Sequence, residues 1–278
     1  MPDRALDTAP GAASVDRLDL EGVSVSDLTR DELFGRLRDA LDRRAQLCLG
    51  FCNANMLLKA LCTPAYAASL RGFLLVSDGL GIDLCSALFR GRFFRQNLNG
   101  TDLIPAFLAA ETAPRTLFLL GARPGIAEAA ARNLALLYPQ HRVVGVRDGY
   151  FPAGELEVVL AGINAASPDI LLVALGNPGQ ETFIAEHAHR IDARVLMGVG
   201  ALLDYAAGAS VRAPAAFRLV RLEWLFRLLR EPRRLGRRYT VDVVVFVAMI
   251  LRLRLASLSI LRRSDHRFGD ENDAKTRA

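Results

Sequence analysis

Polar residues that could do chemistry follow several short apolar runs, at the points where strands of a parallel sheet would end. Asp78 follows the run 73–77, and its carboxylate could take a proton from a substrate hydroxyl as a general base. An aspartate before a helix is equally often an N-cap, so both interpretations stay open here. Asn53 and Asn55 follow the run 46–52 and are expected at the same edge of the sheet.

The loop LGNPGQE at 175–181 is the sharpest feature of this kind. Gln180 can both donate a hydrogen bond to, and accept one from, a sugar hydroxyl or the edge of a base. Glu181 could orient Gln180, or it could simply match the positive end of a helix dipole. Of the two side chains, Gln180 is therefore the better candidate for substrate contact.

A second loop, LGARPG at 120–125, leads into a helix predicted to begin at Ile126. Its glycines allow close approach of the backbone to a ligand, and free N–H groups at a helix N-terminus attract phosphate. An ordinary strand-to-helix turn has the same composition, so phosphate binding is one of two interpretations. The loop lacks GxGxxG, which argues against a dinucleotide-dependent dehydrogenase.

Other motifs are less specific. The run 99–102, NGTD, is typical of a turn into a helix with Thr101 or Asp102 as its cap. No DxD, HExxH or CxxC pattern occurs, which disfavours a protein-held metal. The four cysteines lie in apolar surroundings, so we expect reduced structural thiols at Cys48, Cys52, Cys62 and Cys85.

Alternating β-type runs and helical patterns predict an α/β fold, a Rossmann-like and mainly parallel sheet with flanking helices. The strands are predicted at Gln46–Cys52, Phe73–Ser77, Thr116–Leu120, Arg142–Arg147, Asp169–Leu175 and Arg194–Val199. Thr29 and Glu32 form a capping-box pattern before an apolar helical stripe. Thr63 precedes Pro64, which is typical of a helix start.

Charge is distributed unevenly along the 278 residues. Between Arg212 and Arg263, thirteen arginines face three acidic residues, a local charge of +10 in a chain of net +5. This asymmetry argues against a protein that coats nucleic acid uniformly.

The sequence predicts a disordered tail at 1–21, a core at 22–207, a helical Arg-rich appendage at 208–262 and a second tail at 263–278. The apolar run Val243–Leu251 is too short to span a bilayer.

Taken in order, these motifs resemble the WecG/TagA/CpsF family of bacterial glycosyltransferases from about residue 22 to 240. The series runs NAN (53–55), SDG (77–79), NGTD (99–102), LGARPG (120–125), GYF (149–151), PDILLVALGNPGQE (168–181), GVGALLD (198–204), RAP (212–214), EWLFRL (223–228) and EPRRLGRR (231–238). The GxPxQE block and the paired RAP and EPxRxxRR blocks are the most specific parts of this series.

The resemblance implies an inverting glycosyltransferase that moves a sugar from a UDP-sugar to a sugar on undecaprenyl diphosphate, for cell-surface or exopolysaccharide synthesis. It implies no cofactor and no metal, and a basic appendage that reaches an anionic membrane surface. The enzyme would be cytoplasmic and peripheral on the inner face of the membrane, with no nucleic-acid partner. A homo-oligomer is left open.

The resemblance also assigns roles to residues. Asp78 matches the proposed catalytic base, Asn53 the pocket asparagine and Gln180 the pocket glutamine. Substrate contacts are expected at Asn55, Asn99, Thr101, Asp102, Arg95 and Arg212. Nucleotide contacts are expected at Gly121, Arg123, Gly125, Gly149, Tyr150, Phe151, Gly176 and Glu181.

Two positions depart from the family pattern. Phe51 stands where many members have threonine, and Asn97 stands where many have the pocket arginine. Arg95 could replace that arginine, and Arg123, Arg212 or the appendage arginines could stabilise a departing diphosphate. The donor is therefore left open between N-acetylmannosamine and a hexose. A non-catalytic nucleotide-binding protein tethered by its basic tail is the alternative function.

Overall fold

The computed structural model describes residues 15–214, 223–230, 232–233, 236 and 240–257. Within them, eight strands form one sheet in the order β1-β2-β4-β3-β8-β7-β5-β6. All strand pairs are parallel except β1 with β2. The strands are β1 (Arg17–Leu20), β2 (Val23–Ser26), β3 (Leu47–Cys52), β4 (Phe73–Ser77), β5 (Thr116–Gly121), β6 (Arg142–Arg147), β7 (Ile170–Ala174) and β8 (Val195–Gly198).

Helices connect these strands. They are α1 (Arg30–Arg43), α2 (Ala54–Cys62), α3 (Pro64–Ser69), α4 (Leu80–Arg90), α5 (Gly100–Ala110), α6 (Ile126–Leu137), α7 (Leu156–Ala166), α8 (Gly179–His187), α9 (Leu202–Ala206) and α10 (Glu223–Arg230), with a further helix at 241–257. Helices α1, α5, α6 and α9 bury apolar side chains in one core cluster, and α7 and α8 do so in another. The α/β prediction is confirmed, and the six predicted strands are present with ends shifted by at most one residue.

The N-terminal hairpin corrects the predicted extent of the first tail. Residues 17–20 are strand β1, and Leu18 and Leu20 on it are buried. Glu21 and Gly22, which join β1 to β2, both have positive φ, as a two-residue hairpin turn with the right twist requires. Alternating leucines followed by a Glu-Gly turn are the signal that could have predicted this hairpin. Residues 1–14 and the second tail lie outside the described residues.

The predicted helix starts agree with the structure in three of four cases, and α6 begins at Ile126 as predicted. Thr29 and Glu32 form the reciprocal capping box of α1. Pro64 begins α3 after Thr63, although the Thr63 side chain makes no capping hydrogen bond. The predicted cap at Thr101 or Asp102 is wrong, because the Asn99 side chain caps α5. The Asn99 side-chain oxygen accepts from the N–H groups of both Thr101 and Asp102, so the cap lies two residues before Thr101 and three before Asp102.

The chain divides into two compact units. The first consists of Met1–Asp83 and Phe94–Arg212, and the second of Leu84–Phe93 and Ala213–Ala278. The predicted boundary lies between residues 207 and 208, and Leu84–Phe93 has no sequence signal that would predict its place in the second unit. The described parts of the C-terminal segment include helices at Glu223–Arg230 and 241–257. Residues 208–214 are described and form no helix, so the prediction of a helical appendage from residue 208 is wrong at its start; over 215–262 it stays a prediction, since 215–222 and other residues there lie outside the described part.

Candidate active site

The sheet order brings the predicted loops to one edge. Seven strands share one direction, so the loops that follow β4, β3, β8, β7, β5 and β6 meet in that order along the carboxyl edge. From β5 the chain continues to β6 on one side of the sheet, whereas from β7 it continues to β8 on the other side. Such a reversal opens a crevice at the carboxyl ends of the two strands, which is where open α/β sheets bind ligands.

Asp78 and Asn53 lie side by side at the ends of the neighbouring strands β4 and β3. The Asn53 side-chain oxygen accepts from the Met56 N–H at 3.1 Å and caps α2. Its Nδ2 then faces Asp78 Oδ2 at 3.5 Å, the limit of hydrogen-bonding distance. The Asp78 backbone N–H donates to the Cys52 carbonyl at 2.9 Å, which holds the two strand ends together. One asparagine therefore begins a helix and orients the candidate base.

Asn97, which stands where the resemblance leads us to expect an arginine, holds the turn that carries Asp78. Its Oδ1 accepts from the Gly79 N–H at 2.7 Å. The Leu98 N–H donates to the Ser77 carbonyl at 2.8 Å, so this segment runs alongside the end of β4. Gly79 has a φ of +94°, a conformation that side chains disfavour. Position 97 in this chain thus supplies a backbone clamp and no positive charge.

Arg95 is committed to a different set of partners. Its guanidinium donates to Glu32, at the start of α1, at 2.6 and 3.0 Å. It also donates to the backbone carbonyl of Asp27. These hydrogen bonds from Arg95 lower the pKa of Glu32 below its usual value. The structure pairs Arg95 with Asp27, directly after β2, and with Glu32 of α1, and within the described ranges none of these hydrogen bonds reaches another predicted pocket residue. Its role as a substitute for the pocket arginine stays a prediction.

Gln180 and Glu181 lie in the first turn of α8, and both are buried. Gln180 Nε2 donates to Glu181 Oε1 at 2.7 Å, and Gln180 Oε1 accepts from the Gly200 N–H at 2.9 Å. Glu181 Oε2 accepts from the Tyr66 hydroxyl at 3.0 Å and from Asn177 Nδ2 at 3.1 Å. Burial raises the pKa of Glu181, and its hydrogen-bond donors act in the opposite direction.

The predicted nucleotide contact at Glu181 stays a prediction. Its side chain is 0% exposed and its oxygens accept from donors of three residues, so a ligand would reach it only after these hydrogen bonds rearrange. A carboxylate at the first turn of a helix is normally placed there by the helix dipole. Here the side chain turns inward, because Gln180, Tyr66 and Asn177 supply the donors that a buried carboxylate requires.

Asn177 is the centre of the same network and was not singled out from the sequence. Its Oδ1 accepts from Asn55 Nδ2 at 3.1 Å, and its backbone carbonyl accepts from Lys59 Nζ at 2.6 Å. Two residues of α2 thus fix the loop after β7. Asn55, predicted to bind substrate, has its amide nitrogen engaged by this loop. Lys59 is one of two lysines in a chain with many arginines, a signal that could have drawn attention to it.

The loops after β5 and β6 pack closely through their glycines. A Cβ on Gly121 would lie 2.4 Å from the Ala174 carbonyl oxygen, and the Gly149 N–H donates to the Ala122 carbonyl at 2.9 Å. Gly125 is the N-cap residue of α6 and, as a glycine, makes no side-chain capping hydrogen bond. Gly176 has a positive φ. Phe151 lies under the Arg147 guanidinium.

Two side chains at these loops face solvent. Tyr150 is 72% exposed, and Arg123 is exposed as well. Arg123 follows β5 and Tyr150 follows β6. The role of both residues in nucleotide binding stays a prediction.

Asp102 and Arg212, both predicted to bind substrate, pair with each other. Arg212 Nη2 lies 2.6 Å from Asp102 Oδ1. Asn99 and Thr101 make the start of α5 as described above, with the Asn99 side chain engaged in capping. Across the described ranges, no three His, Cys, Asp or Glu side chains are grouped so as to hold a metal ion.

Comparison with known proteins identifies the family. A model of the glycosyl transferase WecG/TagA/CpsF family matches residues 18–259. The chain belongs to this family. The resemblance inferred from the motifs is thereby confirmed, together with the prediction of a glycosyltransferase, and the match begins four residues before the predicted core.

Curated relatives of this WecG/TagA/CpsF family member carry a more detailed name, N-acetylglucosaminyldiphosphoundecaprenol N-acetyl-beta-D-mannosaminyltransferase. The protein from Bacillus spizizenii is 29% identical over 219 residues, 78% of this chain and 83% of the relative. Proteins of that name from Staphylococcus aureus strains MRSA252 and MW2 are each 32% identical over 173 residues, 62% of this chain and 67% of the relative.

Proposed function

We propose that the chain is an inverting glycosyltransferase that moves a sugar from a UDP-sugar to a sugar on undecaprenyl diphosphate, with Asp78 as the general base. The observation that carries the proposal is the contact between Asp78 and Asn53 at the carboxyl edge, in a chain of this glycosyl transferase family. The acceptor class is taken from the names of the relatives.

The chemistry is a single displacement. Asp78 takes the proton of the acceptor hydroxyl while that oxygen attacks the anomeric carbon of the donor. The bond from this carbon to the diphosphate oxygen breaks, its electron pair leaves with UDP, and the configuration inverts. Asn53 donates towards the Asp78 carboxylate and holds it in place, while Asn97 fixes the turn from the other side.

Asp78→Asn tests this assignment. We expect transfer to fall by roughly 10²–10⁴-fold, because the amide cannot accept the proton, with UDP binding unchanged. Asp19→Asn, an exposed change on the edge strand β1, is the matched control. The assay uses a panel of UDP-sugars with a short-chain lipid-diphosphate-sugar acceptor, which also identifies the donor. Near-normal turnover of Asp78→Asn would exclude Asp78 as the base.

For the nucleotide we propose the crevice between β5 and β7. Arg123 and the N-terminus of α6 would face the diphosphate, and Tyr150 offers an exposed ring for the base. Tyr150→Ala should weaken UDP binding about 5- to 160-fold, since base–aromatic stacking contributes about 1–3 kcal/mol. Leu137→Ala removes an exposed side chain on α6 and serves as the control in calorimetry. Equal affinity of both variants for UDP would place the base elsewhere.

We further propose that the second unit binds an anionic membrane surface, on the inner face of the cell membrane. Within the part of the chain that the structure describes, no helix is long and apolar enough to cross a membrane. The helix at 241–257 exposes Val244, Val247, Leu251 and Leu255 at helical spacing, while Phe246 and Ile250 are buried. An exposed apolar face next to arginines such as Arg252 suits a helix lying in the lipid interface.

Leu251→Glu tests the membrane proposal. We expect it to reduce cosedimentation with vesicles that contain anionic phospholipid, because a carboxylate opposes both burial and charge attraction. The control is Val158→Glu, an equally drastic change at an exposed position of α7. If both variants sediment with anionic vesicles as well as the unmodified chain does, this helix face does not bind lipid.

A further inference from the structure

Glu181 is a buried carboxylate that the proposed displacement does not use. One of its oxygens accepts from Gln180 Nε2, and the other accepts from the Tyr66 hydroxyl and Asn177 Nδ2. In its ionised form a carboxylate only accepts hydrogen bonds. The site around Glu181 is therefore built from donors alone.

The Gln180 amide lies between the Glu181 carboxylate, which accepts hydrogen bonds, and a backbone N–H group, which donates one. On its other side the Gly200 backbone N–H, which only donates, points at Gln180 Oε1 from 2.9 Å. An acceptor on one side and a donor on the other leave the amide one orientation, with nitrogen towards Glu181 and oxygen towards Gly200. The two ends of the Gln180 amide are thus fixed by partners from α8 and from the loop after β8.

In this fixed orientation, one N–H of the Gln180 amide is available for a further hydrogen bond. Nε2 carries two hydrogens, and the one bond from Nε2 to a described residue goes to Glu181. The nitrogen lies next to Gly198, where an added Cβ would come within 2.9 Å of it. We propose that Glu181 is a positioning residue for the transfer reaction, which acts through Gln180 by holding its second N–H ready for an oxygen atom of the substrate sugar. This inference rests on the proposed function.

A neutral amide at position 181 could not do the same. If the amide introduced by Glu181→Gln kept its oxygen towards Tyr66 and Asn177, its nitrogen would face the nitrogen of Gln180. If the introduced amide turned over, its nitrogen would face Asn177 Nδ2 instead. If Gln180 turned over, its own nitrogen would face the Gly200 N–H. Each of these three arrangements of Glu181→Gln sets a donor against a donor, and the Gln180 amide then loses its single orientation; only a joint turn of the Asn177 and Asn55 amides, which are bonded to each other, would relieve the conflict.

Exchanging the two side chains repairs the hydrogen bonds but not the proposed function. In the double variant Gln180→Glu with Glu181→Gln, the new carboxylate accepts from Gly200 and from the new amide. The new amide oxygen accepts from Tyr66 and Asn177. Every bond of the network is then satisfied, whereas the N–H that we assign to the substrate is gone.

The experiment measures kcat, KM and the melting temperature of the full chain with a UDP-sugar and a lipid-diphosphate-sugar acceptor. Glu181→Gln should lower kcat by about tenfold or more, the equivalent of one mispaired buried hydrogen bond. In a Gln180→Met background, Glu181→Gln should change kcat by less than about twofold, because a residue that acts through Gln180 has no further effect once the amide is removed. The exchanged double variant should recover melting temperature and stay impaired in kcat.

The results of these measurements distinguish the positioning role of Glu181 from the proposed glycosyltransferase function. An equal loss from Glu181→Gln in both backgrounds, or full activity of the exchanged variant, would overturn the positioning role. If Glu181→Gln fails to fold, the exchanged variant still decides the question, because its network is complete. Absence of transfer by the unmodified chain would instead refute the proposed function.

Discussion

Gly198 offers an independent way to displace Gln180 without changing a polar group. It is the last residue of β8, between β3 and β7, and its φ is not in the positive region. An alanine there is therefore acceptable to the backbone. Its Cβ, however, would lie 2.9 Å from Gln180 Nε2 and 3.3 Å from Cδ and Cγ of the same side chain. Gln180 has to move, since ordinary contacts begin at about 3.5 Å.

A displacement of several tenths of an ångström lengthens at least one of two short hydrogen bonds, at 2.7 and 2.9 Å. Overpacking of a well-packed site costs about 1–3 kcal/mol, and a weakened hydrogen bond adds about 1 kcal/mol. We therefore expect Gly198→Ala to lower the free energy of unfolding by about 2–4 kcal/mol. For a domain of this size the melting temperature should fall by about 4–16 °C.

Thermal unfolding followed by circular dichroism measures the change, and turnover should fall with it because the amide is displaced. The matched control is Gly162→Ala in α7, where an added Cβ meets nothing within 4 Å. That variant should gain about 0.5–1 kcal/mol, as alanine favours a helix over glycine. If Gly198→Ala melts at or above the temperature of the unmodified chain and keeps its activity, the packing of Gln180 against β8 does not constrain the site.

Three further outcomes follow from the described contacts. Burial raises the pKa of Glu181 above its usual 4.5, so the folded chain binds this proton more tightly than the unfolded chain. The stability of the unmodified chain relative to Glu181→Gln should therefore fall as pH rises from 4.5 through the folded pKa, measured by urea unfolding. Burial raises the pKa of Cys48 and of Cys85 to about 12, whereas Cys62 is exposed. A thiol reagent at pH near 8 should label Cys62 first, and Cys62→Ser should remove that fast phase. Thr29→Ala should cost about 1 kcal/mol by removing the cap of α1, while Thr29→Ser should retain most of it; equal losses would exclude the hydroxyl as the cause.

The sequence predicted the elements that depend on nearby residues. Six of the seven strands that share one direction appear as short apolar runs and were predicted, and the Thr29 capping box is complete within four residues. The loops that follow the strands carry Asp78, Asn53 and Gln180, and parallel strands necessarily end at one edge. The N-terminal hairpin had an equally local signal in its alternating leucines and Glu-Gly turn.

What the tertiary structure alone decided is the partner of each polar side chain. Asn55 meets Asn177 across 122 positions of sequence, Tyr66 meets Glu181 across 115, and Arg95 turns to Glu32 and not to the pocket. The first two pairs exist because β3, β8 and β7 are neighbours in the sheet although far apart in the chain. A sequence pattern reports how each residue suits its own segment. Which donor meets which buried acceptor depends on the order in which the strands pack.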